Sequence, residues 1–76
     1  MVKVSLVTPQ ETLFEGLAES VFLPGEYGEF EVLAYHNPIV STLTKGVVRI
    51  DERLFQISHG IARLNENNDL IILADG

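Results

Sequence analysis

The chain has 76 residues, 46% of them hydrophobic, with no cysteine and a formal net charge of −6 from eleven acidic against five basic side chains. That balance disfavours nucleic acid and anionic membrane surfaces, both of which require clustered Lys and Arg, and the lack of cysteine removes disulfides and thiolate chemistry. A chain this short buries about 60–65% of its unfolded surface, so a single domain over residues 1–76 must rely on close packing or on a partner.

Val2 to Thr8 alternates, with Val2, Val4 and Leu6 facing one way, and reads as a strand. One positive charge and a short apolar run before Pro9 do not make this N-terminus a signal peptide. No run of about 18 apolar residues is present to cross a bilayer. Thr8-Pro9-Gln10-Glu11 stops the strand, because proline lacks the donor that a ladder needs. Thr12 to Glu15 is a second short strand closed by Gly16, and Leu17 to Leu23 a third. Glu19 spoils the apolar parity of Leu17, Val21 and Leu23, which predicts a bulge or an edge there.

Pro24-Gly25-Glu26-Tyr27-Gly28 is a turn. Glu29 to Leu33 alternates acidic with apolar residues, as a strand with one wet face does. Ala34 to Pro38 is a loop, followed by strand Ile39–Leu43 and the turn Thr44-Lys45-Gly46. Val47–Ile50 and Leu54–Ser58 form a hairpin around Asp51-Glu52-Arg53. His59-Gly60 interrupts, Ile61–Leu64 resumes, and Asn65 to Asp69 turns the chain again. Leu70–Leu73 is unbroken and apolar, the pattern of a strand covered on both faces. No segment has helical periodicity, and turn residues recur between short strands, which predicts an all-β sandwich or small barrel.

Chemistry finds little support. His36 and His59 are far apart and lack the spacing of a metal site, so no metal is expected. Glu29 and Glu31 project from one strand face, but a solvated face or interface rim explains them better than a glycosidase pair. Ser58-His59-Gly60 is no nucleophile elbow, and Gly25-x-x-Gly28 has no helix behind it to cradle phosphate. No catalytic residue, cofactor or small-molecule substrate is therefore expected. The stretch from Pro24 to Ile50 carries both tyrosines, Phe30 and apolar residues beside turns, a composition suited to protein docking.

Those residues resemble a known family. Pro24-Gly25-Glu26-Tyr27-Gly28-Glu29-Phe30, Val32-Leu33, His36-x-Pro38 and Leu43-x-x-Gly46-x-Val48-x-Ile50 are similar to the N-terminal domain of the epsilon subunit of F-type ATP synthases, called delta in mitochondria. Val7-Thr8-Pro9 with Phe14-Glu15-Gly16 and the closing Leu73-Ala74-Asp75 extend the resemblance to the whole chain. Three positions depart from it. Glu31 stands for a glycine, Ala34-Tyr35 for Pro-Gly, and His59-Gly60 for Gly-Gly.

The resemblance implies a two-sheet β-sandwich of about ten short strands, without the helical hairpin that usually follows in the family. It implies a non-catalytic rotor subunit that docks on the gamma subunit and the c-ring and couples ion-driven rotation to ATP synthesis. Such a subunit is peripheral, at the cytoplasmic face of the inner (plasma) membrane. Residue by residue, Glu29 would face the ring loops and His36, Pro38 and Ile39 the gamma subunit, while Glu31, which stands where the family has glycine, is counted among the partner-binding residues without an assigned partner. Inhibition of hydrolysis and ATP binding through the hairpin are not expected of these residues. Competing readings are a free-standing β-sandwich adaptor that recognises peptides by strand addition, and a small-barrel enzyme using His36 or His59 with a carboxylate.

Overall fold

The computed structural model describes residues 1–76 as nine strands and no helix, one fewer strand than the ten or so expected. They are β1 (Val2–Val7), β2 (Thr12–Ala18), β3 (Ser20–Gly25), β4 (Gly28–Leu33), β5 (Ile39–Leu43), β6 (Gly46–Ile50), β7 (Arg53–Ile57), β8 (His59–Leu64) and β9 (Asp69–Asp75). The ladder runs β2-β1-β9-β8-β5-β3-β6-β7, with β4 paired to the other side of β3. Only the pair Gly25–Leu43 joins β5 to β3. At that weak seam the sheet folds over on itself and becomes a sandwich. Its first half is β2-β1-β9-β8-β5 and its second is β4-β3-β6-β7. The first and last strands of the chain lie side by side in parallel, from Lys3–Asp69 to Val7–Leu73.

The strand alternation supplies the core. Val2, Val4, Leu6, Ala18, Leu43, Ala62, Leu64, Leu70, Ile72 and Ala74 point inward from the first half, and Val21, Leu23, Val32, Val48, Ile50 and Ile57 from the second. All are buried, and no polar or charged residue is buried with them. The open edges of the two halves approach at Phe14 on β2 and Phe55 on β7, whose rings meet edge to face at 6.3 Å. Arg53 lies over both, at 5.4 and 5.5 Å from the centroids, so a cation–π contact caps that closure.

Four expectations need correction. Gly16 does not close the second strand, which continues to Ala18. Leu17 to Leu23 is two strands, because Glu19 is a corner rather than a bulge, where the chain leaves one half for the other. Buried Ala18 and Val21 lie on either side of it, and the parity flips between them. The corner's amides are satisfied from a distant turn, since Glu19 N and Ser20 N both donate to Asp51 Oδ1 at 3.0 and 3.2 Å. Asp51 N donates back to Ser20 O at 3.0 Å, and the aspartate takes a φ of 52°, which its short polar side chain tolerates.

His59-Gly60 does not interrupt; it opens β8. A Cβ on Gly60 would stand 2.6 Å from Leu73 O, so this strand can sit against β9 only as glycine. Finally, Leu70–Leu73 is covered on one face only. Leu70 and Ile72 are fully buried, whereas Ile71 and Leu73 are 43% and 52% exposed.

Candidate interaction surface

Glu29 and Glu31 lie on β4, which pairs only with β3, and both point away from the core. Glu29 stands opposite Pro24, and Glu31 opposite Phe22. The two carboxylates are not equivalent. Ser20 Oγ donates to Glu31 Oε2 at 2.7 Å, which fixes that side chain against the sheet, while Glu29 has no intramolecular partner of this kind. Across the same row Arg49 lies over the Phe22 ring at 5.0 Å and its Nε donates to Asp51 O at 2.9 Å. The outer face of the second half is therefore a mosaic in which Phe22, Leu33, Val47 and Leu54 are interspersed with Glu29, Glu31, Arg49 and Gln56.

His36 and Pro38 sit in the exposed loop between β4 and β5, and Ile39, which begins β5, packs partly against the core. The His36 ring Nδ1 is 2.7 Å from Asn37 O. A carbonyl can only accept, so the proton is on Nδ1 and Nε2 remains available to a partner. Tyr35, where the family pattern has glycine, takes a φ of 66° and is 89% exposed. Its amide donates to Asn68 Oδ1 at 2.8 Å, which ties the loop to the β8–β9 turn. A bulky residue in the left-handed region costs about 1–2 kcal/mol. An exposed aromatic held in a costly backbone conformation is a mark of surfaces kept for contact. Tyr27, at the tip of the β3–β4 hairpin, is completely exposed.

The structure also reveals a surface that the chain-order reading missed. On the outer face of the first half, Val7, Leu73, Ile61 and Thr42 stand in one row, and Ser5, Ile71, Arg63 and Val40 in the next. Val40, Ile61, Ile71 and Leu73 are 66%, 43%, 43% and 52% exposed and border one shallow depression with Arg63. Pro38 and Ile39 share an adjoining groove with Val40 and Arg63, so the predicted His36–Ile39 segment leads directly onto this face. The unbroken Leu70–Leu73 run was its sequence signal. Contiguous exposed apolar side chains with polar residues around them mark association surfaces.

The one approach of a histidine to a carboxylate is His59 Nε2 to Asp75 Oδ2 at 3.7 Å. Both side chains are largely open to solvent, 70% and 53% exposed. No three His, Asp or Glu side chains converge on a point, and no helix is long and apolar enough to cross a membrane.

A family model described as "ATP synthase, Delta/Epsilon chain, beta-sandwich domain" matches residues 1–76. The ATP synthase epsilon chain of Campylobacter curvus is 37% identical over 78 residues, covering 96% of this chain and 60% of that one. That of Aliarcobacter butzleri is 38% identical over 79 residues, covering 99% and 62%. The chain thus spans about three fifths of the length of these curated relatives. Among solved structures, a chain of the Euglena gracilis mitochondrial ATP synthase (OSCP/F1/c-ring) superposes with a TM-score of 0.87 at 22% identity, over 99% of this chain and 51% of its own. A chain from the Tetrahymena thermophila mitochondrial central stalk and c-ring gives 0.81 at 15%, over 99% and 63%. At those identities the superpositions establish the fold.

Proposed function

This chain belongs to the ATP synthase delta/epsilon family, whose β-sandwich domain it matches from end to end, and from that membership we propose that it is a central-stalk rotor subunit. It docks on the gamma subunit and the c-ring and carries ion-driven rotation towards ATP synthesis, performing no chemistry itself. In this role it is held peripherally at the cytoplasmic face of the membrane by the complex. The observation that carries the reading is the continuous apolar face of Val40, Ile61, Ile71 and Leu73 beside the His36–Ile39 loop, in a chain of this family.

The proposed division of labour follows the two faces. His36, Pro38 and Ile39 with the apolar face grip gamma. The four outward apolar side chains are already about half covered, so sealing each contributes about 1 kcal/mol, enough to anchor an interface once the cost of association is met. Glu29 and Glu31 face the polar loops of the ring and accept charge-assisted hydrogen bonds from basic side chains there. A sandwich gripped on one face and touched on the other resists being twisted between them. The role proposed for this β-sandwich domain is assembly and coupling.

Titrating the purified chain against the gamma subunit of the same organism tests the reading. A stable complex is expected, and no detectable association with gamma, alone or assembled on its ring, overturns it.

A further inference from the structure

We infer that the partner surface seated on the apolar face carries a carboxylate placed to meet Arg63. The inference deepens the docking just proposed and rests on it. Of the three arginines, two are committed inside the molecule: Arg49 bonds Asp51 O and covers Phe22, and Arg53 caps Phe14 and Phe55. Arg63 makes no ion pair, hydrogen bond or ring contact of this kind. Its strand neighbours on the outer face are apolar, with Val40 opposite on β5 and Ile71 opposite on β9. Ile61 lies two residues back on the same side of β8. Glu66 borders the adjoining groove without pairing with it.

A guanidinium set within an apolar face is harmless while water reaches it. Once the face is sealed, the charge loses its hydration, and the loss is recovered only if an acceptor of opposite charge is supplied. The planar fork matches a carboxylate with two parallel N–H donors. The partner is therefore apolar around an acidic residue, which gives specificity that apolar contact alone lacks. A second copy of this chain does not fit the description. Its own equivalent face has Arg63 at the centre, and each copy has a net charge of −6, which opposes self-association.

The test compares the unaltered chain, Arg63→Leu, Arg63→Glu and Ile71→Asp in calorimetric titrations against the gamma subunit of the same organism. Arg63 is exposed and unpaired, so its variants are expected to keep the parent melting temperature, which is measured alongside. Arg63→Leu should weaken binding by about 30-fold, because it strands the partner's carboxylate under the seal, and Arg63→Glu by more. Equal or tighter binding by Arg63→Leu overturns the inference, since a leucine can only improve a face with no acid opposite. If Ile71→Asp abolishes binding while Arg63→Leu leaves it intact, docking on this face stands and the carboxylate falls. If the unaltered chain does not bind gamma, both fall.

Discussion

The two outward faces of the sandwich are built on the same alternation and filled differently. On β5, β8 and β9 the outward residues Val40, Ile61, Ile71 and Leu73 stand next to one another in register with Arg63 among them, and the aspartates Asp69 and Asp75 lie at the two ends of β9. On β3, β4, β6 and β7 the outward residues Phe22, Leu33, Val47 and Leu54 each stand beside Glu29, Glu31, Arg49 or Gln56, and the charges are partly tied down by Ser20 and Phe22. Scattered apolar side chains on a wet sheet need no explanation; contiguous ones do. The inward pattern gives the fold, and the outward pattern separates the face that wants a partner from the face that tolerates water.

Neighbouring residues on β9 give the sharpest test of that contrast. Ile72→Ala opens a cavity in the core and should destabilise the chain by about 2–4 kcal/mol, read from denaturant midpoints. Unchanged stability would mean that β9 is not central. Ile71→Asp, one residue away but outward, should leave the midpoint nearly where it was and reduce affinity for gamma by about 30-fold or more, as for a residue at the heart of an interface. Were Ile71→Asp to unfold the chain and leave binding untouched in the folded fraction, the outer face would be ordinary surface.

The same pair shows how far residue patterning alone reveals the fold and the candidate surface. Val2, Val4 and Leu6 declare their face by alternation, and the acidic-apolar alternation of β4 correctly puts Glu29 and Glu31 on one side. Leu70–Leu73 asks for cover on both faces, but the fold supplies it on one; a run of apolar residues cannot say whether its second cover is its own chain or another. Glu19 signals an irregularity, but a corner between two sheet halves and a bulge within one leave the same trace in sequence. What distinguishes them is Asp51, a residue on another turn that satisfies both corner amides. His59-Gly60 reads as a break because glycine weakens strands, whereas here its missing Cβ is what lets β8 meet β9. Contacts between distant segments decide each of these cases.

Tyr35 offers a smaller effect that moves stability and binding in opposite directions. Glycine at its φ of 66° removes the left-handed penalty but adds freedom to the unfolded chain. Tyr35→Gly should therefore stabilise the domain by about 0.5–1 kcal/mol, raising its melting temperature. If the exposed ring belongs to the gamma contact beside His36, the same variant should bind gamma more weakly. A variant that gained stability and lost no affinity would limit the docking surface to the sheet and leave the loop out of it.

The smallest expected effect lies on the charged face. Glu29 is exposed and held by no neighbour, so its removal should not disturb the fold, and an exposed ion pair to a ring loop is worth only about 0.2–1 kcal/mol. Glu29→Lys goes further than removal, since it sets like charges against each other, and it should lower coupling between ion flow and ATP synthesis in reconstituted vesicles. That loss should shrink as salt is raised, because exposed charges are screened over about 10 Å at 0.1 M ionic strength. The Arg63 effect, argued for a sealed contact, should persist under the same salt. Full coupling by Glu29→Lys at low salt would remove Glu29 from the ring contact, while Glu31, braced by Ser20, would still need its own substitution. Similar salt sensitivity at Glu29 and Arg63 would mean that both faces meet their partners through water and that the contrast between them is one of composition alone.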